Sequence, residues 1–318
     1  MVDEHLKFSI VTPVYNRKDC IKRCIDSVQK QSYSNWEHIV VDDGSDDGTD
    51  MILEKLAKEK AKGLLYFRQP QNGGPNSARN RALDMSSGDF VLFLDSADTL
   101  VPDALSQIVK VIDEHPNYLH FLFIAGDRID YCAQNTTLKG HYFAEITFGD
   151  WLKGKLTGDF VHVVSAKIWD KVRFIEKYRI YEALTFLDIY KLTQKQLFCN
   201  EVIIQVELNR SDAVSREANL YKKNAIQFSK EVMGLMLQNH YQDYIDNNAI
   251  TNVLHLVNKL YFYTLMLGMY DELSSYEEKA VACGGRIKPV YKIARTLHCG
   301  KLLCMGVKCY SFSKHLLD

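Results

Sequence analysis

The chain contains no Cys-x-x-Cys pair, and its eight cysteines are scattered through 318 residues. A structural zinc site is therefore not expected, and reduced, cytosolic thiols are. Cys20 and Cys24 fall four apart in a helical pattern, while Cys299, Cys304 and Cys309 lie five apart, which spreads them around a helix. No run of about 18 apolar residues occurs, so no membrane-spanning helix is expected. The stretch MVDEHLKFSIVTPVYN lacks a basic region followed by a long apolar one, and no signal peptide is expected. A formal net charge of −1 argues against a global field for nucleic acid, and no nucleic-acid partner is expected. No G-x-G-x-x-G follows the first strand pattern, which disfavours a dinucleotide oxidoreductase. That position also lacks a Gly-rich loop bearing Arg or Lys, which disfavours a nucleotidyltransferase. Internal repeats and low-complexity tracts are absent as well.

What is present is alternation. KFSIVTPVY, WEHIVVDDGS, LLYFRQP and DFVLFLDSAD read as strands, the first ending in a Pro-bearing loop. Between and after them KDCIKRCIDSVQKQ, DGTDMILEKLAKEKA, SARNRALDMSS and PDALSQIVKVIDEHP read as helices. Strand and helix in turn, joined by short links, predict an α/β fold with a mainly parallel sheet covered on both faces. From about residue 118 to 216 the pattern is mixed: NYLHFLFIAGDRIDY reads as a strand, HVVSAKIWDKV as a strand entering a helix, TFLDIYKLTQKQ as a helix and EVIIQVELNR as a last strand. Residues 217–282 read as helices rich in Leu, Met and Tyr, and the tail after them carries Arg286, Lys288, Lys292, Arg295, Lys301, Lys308 and Lys314 with no acid before Asp318. The expected division is 1–216 for the α/β domain and 217–318 for a helical appendage. In open parallel sheets ligands bind beyond the carboxyl ends of the strands, and the acids of VVDDGS and FLDSAD both fall there.

The motifs VTPVYN, VVDDGSDDGT, GGPNSARNRAL and FLDSAD, in that order, resemble a family 2 glycosyltransferase with a GT-A fold over roughly residues 7–216. The resemblance implies transfer of a sugar from a nucleotide-diphosphate donor to an acceptor hydroxyl. It places Thr12, Pro13, Tyr15 and Asn16 at the nucleoside, where Pro stiffens the loop and Tyr offers a ring beside a base. Asp42, with Asp43 beside it, is expected to accept a base N–H, which suits the imide of uracil and makes a UDP-sugar the first guess. The alternative for both acids is a turn or a helix cap. Arg79 is expected near the donor phosphates as a bidentate guanidinium, or else in a structural salt bridge.

In the family the segment at Asp95, Ser96, Ala97 and Asp98 reads Asp-x-Asp, the first Asp meeting the ribose or metal and the third position ligating Mg²⁺ or Mn²⁺. Here the third position is Ala97. The expected metal ligands that remain are Asp95, with the diphosphate and water, or a shifted Asp98. Three readings of Ala97 stay open: an engineered replacement, drift towards an inactive homologue, or a variant coordination. For the general base of an inverting transfer the resemblance points to Asp188 in EALTFLDIY, with Leu187 where Glu is usual and Glu182 as a weaker candidate. His162 is read as an acceptor contact or a satisfied core histidine. In NRSDAVSRE, Arg210, Ser211, Ser215 and Arg216 are candidates to close over the diphosphate. The tail has two readings, helices packing on the domain or on a second subunit of a homodimer, and a basic surface on anionic lipid. Ile287, Val290, Ile293, Ala294 and Leu297 keep helical spacing there. The expected protein is thus a cytoplasmic glycosyltransferase, with or without peripheral contact at the inner membrane face. It acts on a saccharide or lipid-linked acceptor, the alternative being a weak or inactive nucleotide-sugar-binding homologue.

Overall fold

The computed structural model describes residues 5–59, 62–179, 181–207, 223–298 and 300. The chain forms two compact units, one of Met1–Trp151 with Lys155–Arg210 and one of Leu152–Gly154 with Ser211–Asp318. The first unit carries the sheet. Its elements in chain order are β1 (Phe8–Val14), α1 (Ile21–Gln29), β2 (Trp36–Asp42), α2 (Thr49–Lys58), β3 (Leu64–Arg68), α3 (Pro75–Leu83), β4 (Phe90–Phe93), β5 (Thr99–Leu100) and α4 (Ala104–Glu114). There follow β6 (His120–Ala125), α5 (Ile129–Gln134), β7 (Phe143–Thr147), α6 (Phe148–Leu152), β8 (Val161–Ser165), α7 (Ala166–Trp169), α8 (Ala183–Thr193) and β9 (Lys195–Gln205).

The strands form one sheet in the order β3-β2-β1-β4-β8-β6-β9-β5, with β7 also on β9. The run β3-β2-β1-β4 is wholly parallel, and β6 pairs β9 in parallel, whereas β8 runs antiparallel between β4 and β6. Every residue of β1 and β2 is buried, as expected for strands covered on both faces. Successive side chains take opposite faces. Phe8, Ile10 and Val14 join Trp36, Val40, Leu92 and the α1 stripe of Ile21, Cys24, Ile25 and Val28 in one core. Val11, Ile39, Val41 and Val91 join Ala78, Ala82 and Leu83 of α3 in the other. Pro13 lies inside β1, past Val11 where the β4 pairing ends, so its missing N–H breaks no bond on that side. The buried carboxylate of Glu37 on β2 is fully partnered: it accepts from Ser9 (2.6 Å), the Lys7 ammonium (2.7 Å) and the Ser87 N–H (2.6 Å).

Three sequence expectations shift. The strand read through GDRIDY stops at Ala125, and a 3-10 turn (Gly126–Arg128) leads into α5. The helix read through QKQ stops at Thr193. Gln194 turns left-handed there (φ 59°), and β9 starts at Lys195, where edge pairing with β7 outcompetes another helical turn. Thr12 and Pro13 belong to β1 rather than to the loop after it.

The second unit is helical in its described part: α9 (Lys223–Asp246), α10 (Ile250–Leu267), α11 (Leu273–Ala282) and α12 (Pro289–Thr296). No helix among the described residues is long and apolar enough to cross a membrane.

Candidate active site

The carboxyl ends of β1, β2 and β4 lie side by side because these strands are parallel neighbours. Asp42 closes β2 and Asp95 follows β4, one on each side of β1, so two strand spacings of about 4.8 Å separate the rows that carry them. The acids singled out in the sequence therefore stand on one edge of the sheet.

Asp42 is wholly buried. Its Oδ1 accepts the Ser45 N–H at 2.9 Å, which turns the chain after β2. Its Oδ2 is a buried oxygen with no hydrogen-bond donor in the structure, and lies 3.6 Å from Nε of Arg68. Arg68 ends β3, is partly exposed, pairs with Asp50 and donates to the Ser45 carbonyl at 2.8 Å. Asp43 is fully used by the protein. Oδ1 accepts the Gly73 N–H (2.7 Å) and the Gln69 amide (2.6 Å), and Oδ2 accepts the Gly74 N–H (2.7 Å). This carboxylate fastens the GGP loop at the start of α3. Gly44 has φ +78°, and a Cβ on it would sit 3.1 Å from the Asn72 backbone nitrogen, so a side chain there would be strained and would crowd the neighbouring loop. Gly74 takes φ 94°, ψ 163°, a region essentially reserved for glycine.

The other nucleoside candidates divide. Thr12 is a core hydroxyl, 2.9 Å from Nε2 of His38, and burial holds that imidazole down at about 3. Pro13 is buried with it, and Tyr15 is 41% exposed just beyond β1. Asn16 adopts φ 51° and clamps the DDGS turn: its N–H meets Ser45 Oγ at 2.9 Å, and its amide exchanges bonds with Asp46 at 2.9 and 3.0 Å. An Asn tolerates the left-handed conformation better than most residues.

On the far side of β1 the loop after β4 is held by its backbone. The Asp98 N–H donates to the Asp95 carbonyl (2.9 Å), and Arg23 of α1 donates to the Ala97 carbonyl (2.9 Å) while pairing with Glu207. Ser96 is buried, and the Asp95 carboxylate is exposed. Asp98 Oδ1 accepts the Glu207 N–H at 3.0 Å, just past β9. Burial pushes Asp98 up from 3.8 to about 6; the Glu207 N–H opposes this, and the charges of Asp95, Asp127 and Glu207 add to it. Ala97 brings a methyl where the motif calls for an oxygen ligand. No group of three or more His, Cys, Asp or Glu among the described residues is placed to hold a metal.

Arg79 joins the helical layer to this loop. Buried on α3, it pairs with Glu182 and stands 3.5 Å from Asp95 Oδ1, its guanidinium lying over Phe93 and Phe174. The structure thus contains the salt bridges that the alternative reading of Arg79 requires, and one of them is to Asp95. Glu182 immediately precedes α8. Burial raises its pKa, the Arg79 charge opposes that, and Asp95 and Asp159 add to it. Asp188 sits in the middle of α8, six residues beyond Glu182 and so about 120° around the helix axis from it. His162 is half-buried on β8. Its Nδ1 lies 2.8 Å from Nε2 of His120, Phe186 stacks on it at 4.1 Å, and burial lowers it to about 3. Arg210, Ser211, Ser215 and Arg216 lie outside the described residues.

Two side chains at the site escape the motifs. Arg68 is a lone arginine ending a short strand, marked only by its register opposite Asp42. Arg23 is one of many exposed helix cations, and nothing in the chain marks its reach to Ala97.

The chain resembles known proteins in both sequence and fold. Residues 9–160 match Glycosyl transferase family 2. Over 221 residues the chain is 30% identical to the GalNAc(5)-diNAcBac-PP-undecaprenol beta-1,3-glucosyltransferase of Campylobacter jejuni, covering 69% of each protein. Another relative, matched over 115 residues, is much longer, and the chain spans 16% of it. Among solved structures, Staphylococcus aureus TarS 1-349 in complex with UDP-GlcNAc superposes with a TM-score of 0.61 at 18% identity, covering 87% of this chain and 89% of that one. Mannosyltransferase PcManGT from Pyrobaculum calidifontis, in complex with GDP-Man and Mn²⁺, superposes with a TM-score of 0.56 at 15% identity, covering 96% and 88%. At such identities the likeness is one of fold, and that fold is GT-A. With the acids of its motifs on one edge of a GT-A sheet, the chain belongs to glycosyl transferase family 2 and is an enzyme of the glycosyltransferase type.

Proposed function

We propose that the protein transfers a sugar, with inversion, from a nucleotide-diphosphate donor, a UDP-sugar in the first instance, to a hydroxyl of a saccharide or lipid-linked acceptor. The observation that carries the donor half is Asp42 Oδ2, a wholly buried carboxylate oxygen with no donor, at the carboxyl end of a central parallel strand. A base N–H is the complement such an oxygen lacks, and Arg68 is the partly exposed side chain that would swing aside to admit it. Asp43 and Asn16 act one step removed, by fixing the two loops between which a nucleotide would lie. The complex of TarS with UDP-GlcNAc supports a uridine donor, while that of PcManGT with GDP-Man shows a second base on the same fold. The glucosyltransferase relative named for an undecaprenol-linked glycan supports a lipid-linked acceptor.

For the diphosphate, Asp95 is the exposed carboxylate and Arg79 the nearest buried guanidinium. Mn²⁺ or Mg²⁺ is proposed to enter with the donor, held on the protein side by Asp95 and otherwise by phosphate and water oxygens, because Asp98 is engaged with Glu207 and Ala97 offers none. Bound there, a hard cation would offset the charge growing on the leaving group. The acceptor's proton goes to an acid of the α8 segment. Asp188 is one candidate. Glu182 is the other, supported by its place beside Arg79 and by a pKa raised through burial, which makes a stronger base. The loop holding Arg210 and Ser215 is proposed to close over the diphosphate.

A second reading follows from Ala97 and the engaged Asp98: a homologue that binds nucleotide sugars and transfers weakly or not at all. Calorimetry with UDP and Mn²⁺ tests what both readings share, and absence of binding would refute both. A nucleotide-sugar panel run with the parent chain and Ala97→Asp then separates them, since turnover by the parent chain as fast as that of Ala97→Asp excludes the second.

A further inference from the structure

The apolar positions that keep helical spacing near the C-terminal end of the described chain do not share one fate. Ile287 and Ala294 are buried, at 2% and 3% exposure, whereas Val290, Ile293 and Leu297 are exposed at 56%, 59% and 67%. The inward side of α12 is anchored by specific contacts. Tyr291 stacks on Phe262 of α10 at 5.1 Å, Arg295 donates to Glu277 at 2.8 Å, and the Lys288 N–H is capped by the Asn258 side chain at 2.8 Å. The rotation of the helix is therefore set by its own unit, and residues 290, 293 and 297 fall within an arc of about 60° on the opposite side. Single exposed aliphatics are ordinary. Three on one stripe of an anchored helix are not.

Charge selects the occupant. From Lys279 to His298 the chain carries five cations, Lys279, Arg286, Lys288, Lys292 and Arg295, and no acid. Arg286, Lys288 and Lys292 are exposed: Arg286 and Lys288 immediately precede α12, and Lys292 lies about 100° around its axis from Ile293. A second copy of the chain docked face to face would oppose cations to cations. An anionic bilayer would take the stripe into its acyl boundary and leave the cations among phosphates, the arrangement of interfacial amphipathic helices. We propose that the outward face of α12 is a docking surface for an anionic lipid bilayer, with Val290, Ile293 and Leu297 inserted and Arg286, Lys288 and Lys292 at headgroup level. The surface stands on the second unit alone and does not rest on the donor chemistry of the first.

The test is flotation of the full chain with vesicles of phosphatidylcholine alone or mixed with phosphatidylglycerol. The chain should float with the mixed vesicles and stay behind with the neutral ones. Lys288→Gln with Lys292→Gln should weaken partitioning roughly twenty-five-fold, at about fivefold per cation. Val290→Ser with Ile293→Ser and Leu297→Ser should take it below detection, at roughly tenfold or more per aliphatic group. Ile293→Trp supplies a readout that does not depend on the serine variant folding: the emission of the introduced indole should shift to the blue and be quenched by brominated lipid. Flotation unchanged by the serine substitutions, or an indole emission in the Ile293→Trp variant that is indifferent to vesicles, would overturn the proposal. So would light scattering that shows a dimer lost in the serine variant while lipid binding persists, because the face would then cover another copy.

Discussion

The two sides of β1 treat their acids differently. On the β2 side the carboxylates are consumed by scaffolding. Asp43 accepts three hydrogen bonds, Asp42 accepts one and keeps one oxygen open, and Asn16 ties the turn to the end of β1. On the β4 side the backbone does the holding, through Arg23, Asp98 N–H and the Glu207 N–H, while the exposed Asp95 carboxylate stands 3.5 Å from Arg79 and Ala97 has no oxygen to offer. Side-chain hydrogen bonds therefore fasten the loops on one side of β1, while on the other the loop is held through its backbone and has no side-chain oxygen at Ala97. Binding and turnover should accordingly be separable in this protein, and four substitutions probe that separation.

The largest effect is expected at the base. In the Ala97→Asp background, Glu182→Gln or Asp188→Asn, whichever removes the base, should lower the transfer rate by about 10²–10⁴ while leaving UDP affinity within about threefold. Activity kept by both variants rules out a base in α8. Next comes Ala97→Asp itself: with Mn²⁺ present it should raise turnover by about a hundredfold, consistent with a metal ligand worth several kcal/mol. Equal rates in both proteins would show that the open loop is no lesion. On the scaffold side, Asp42→Asn should weaken UDP binding by roughly 10- to 100-fold in calorimetry, the range for losing a charged hydrogen bond of about 1.5–3 kcal/mol. Unchanged affinity would mean the base lies elsewhere.

The smallest effect is on stability. Asp98 is raised to about 6 in the folded protein, so between its ordinary 3.8 and that value the folded state binds the extra proton. Its contribution to stability is present below about pH 4 and lost as pH rises through 6. With a chelator present, Asp98→Asn should remove that loss, so the melting-temperature difference between variant and parent should grow from pH 4 to pH 7 by a few degrees. A constant difference would deny the burial of this carboxylate.

Much of the first unit was legible because its signals are local. The α1 stripe of Ile21, Cys24, Ile25 and Val28, and the near-continuous apolar β1 and β2, state their periods within a few residues. Short strands beyond residue 118 were harder: β7 alternates weakly, with one buried residue in five, and was not anticipated. At the site, the motifs gave the acids at the strand ends but not their division of labour. Asp42 and Asp43 are adjacent and chemically identical, yet one is turned to the DDGS turn and the other to a loop thirty residues away.

The alternation of strands and helices up to α4, the mainly parallel sheet it implies, and the missing oxygen at Ala97 were written in the chain itself, because period and composition act over short distances. Which oxygen stays unpartnered, that Glu182 stands beside Arg79, and which apolar residues of α12 face outward were decided only by tertiary contacts. Those contacts join residues far apart along the chain, as in Arg79 with Glu182 at a separation of 103, and no local pattern can encode them.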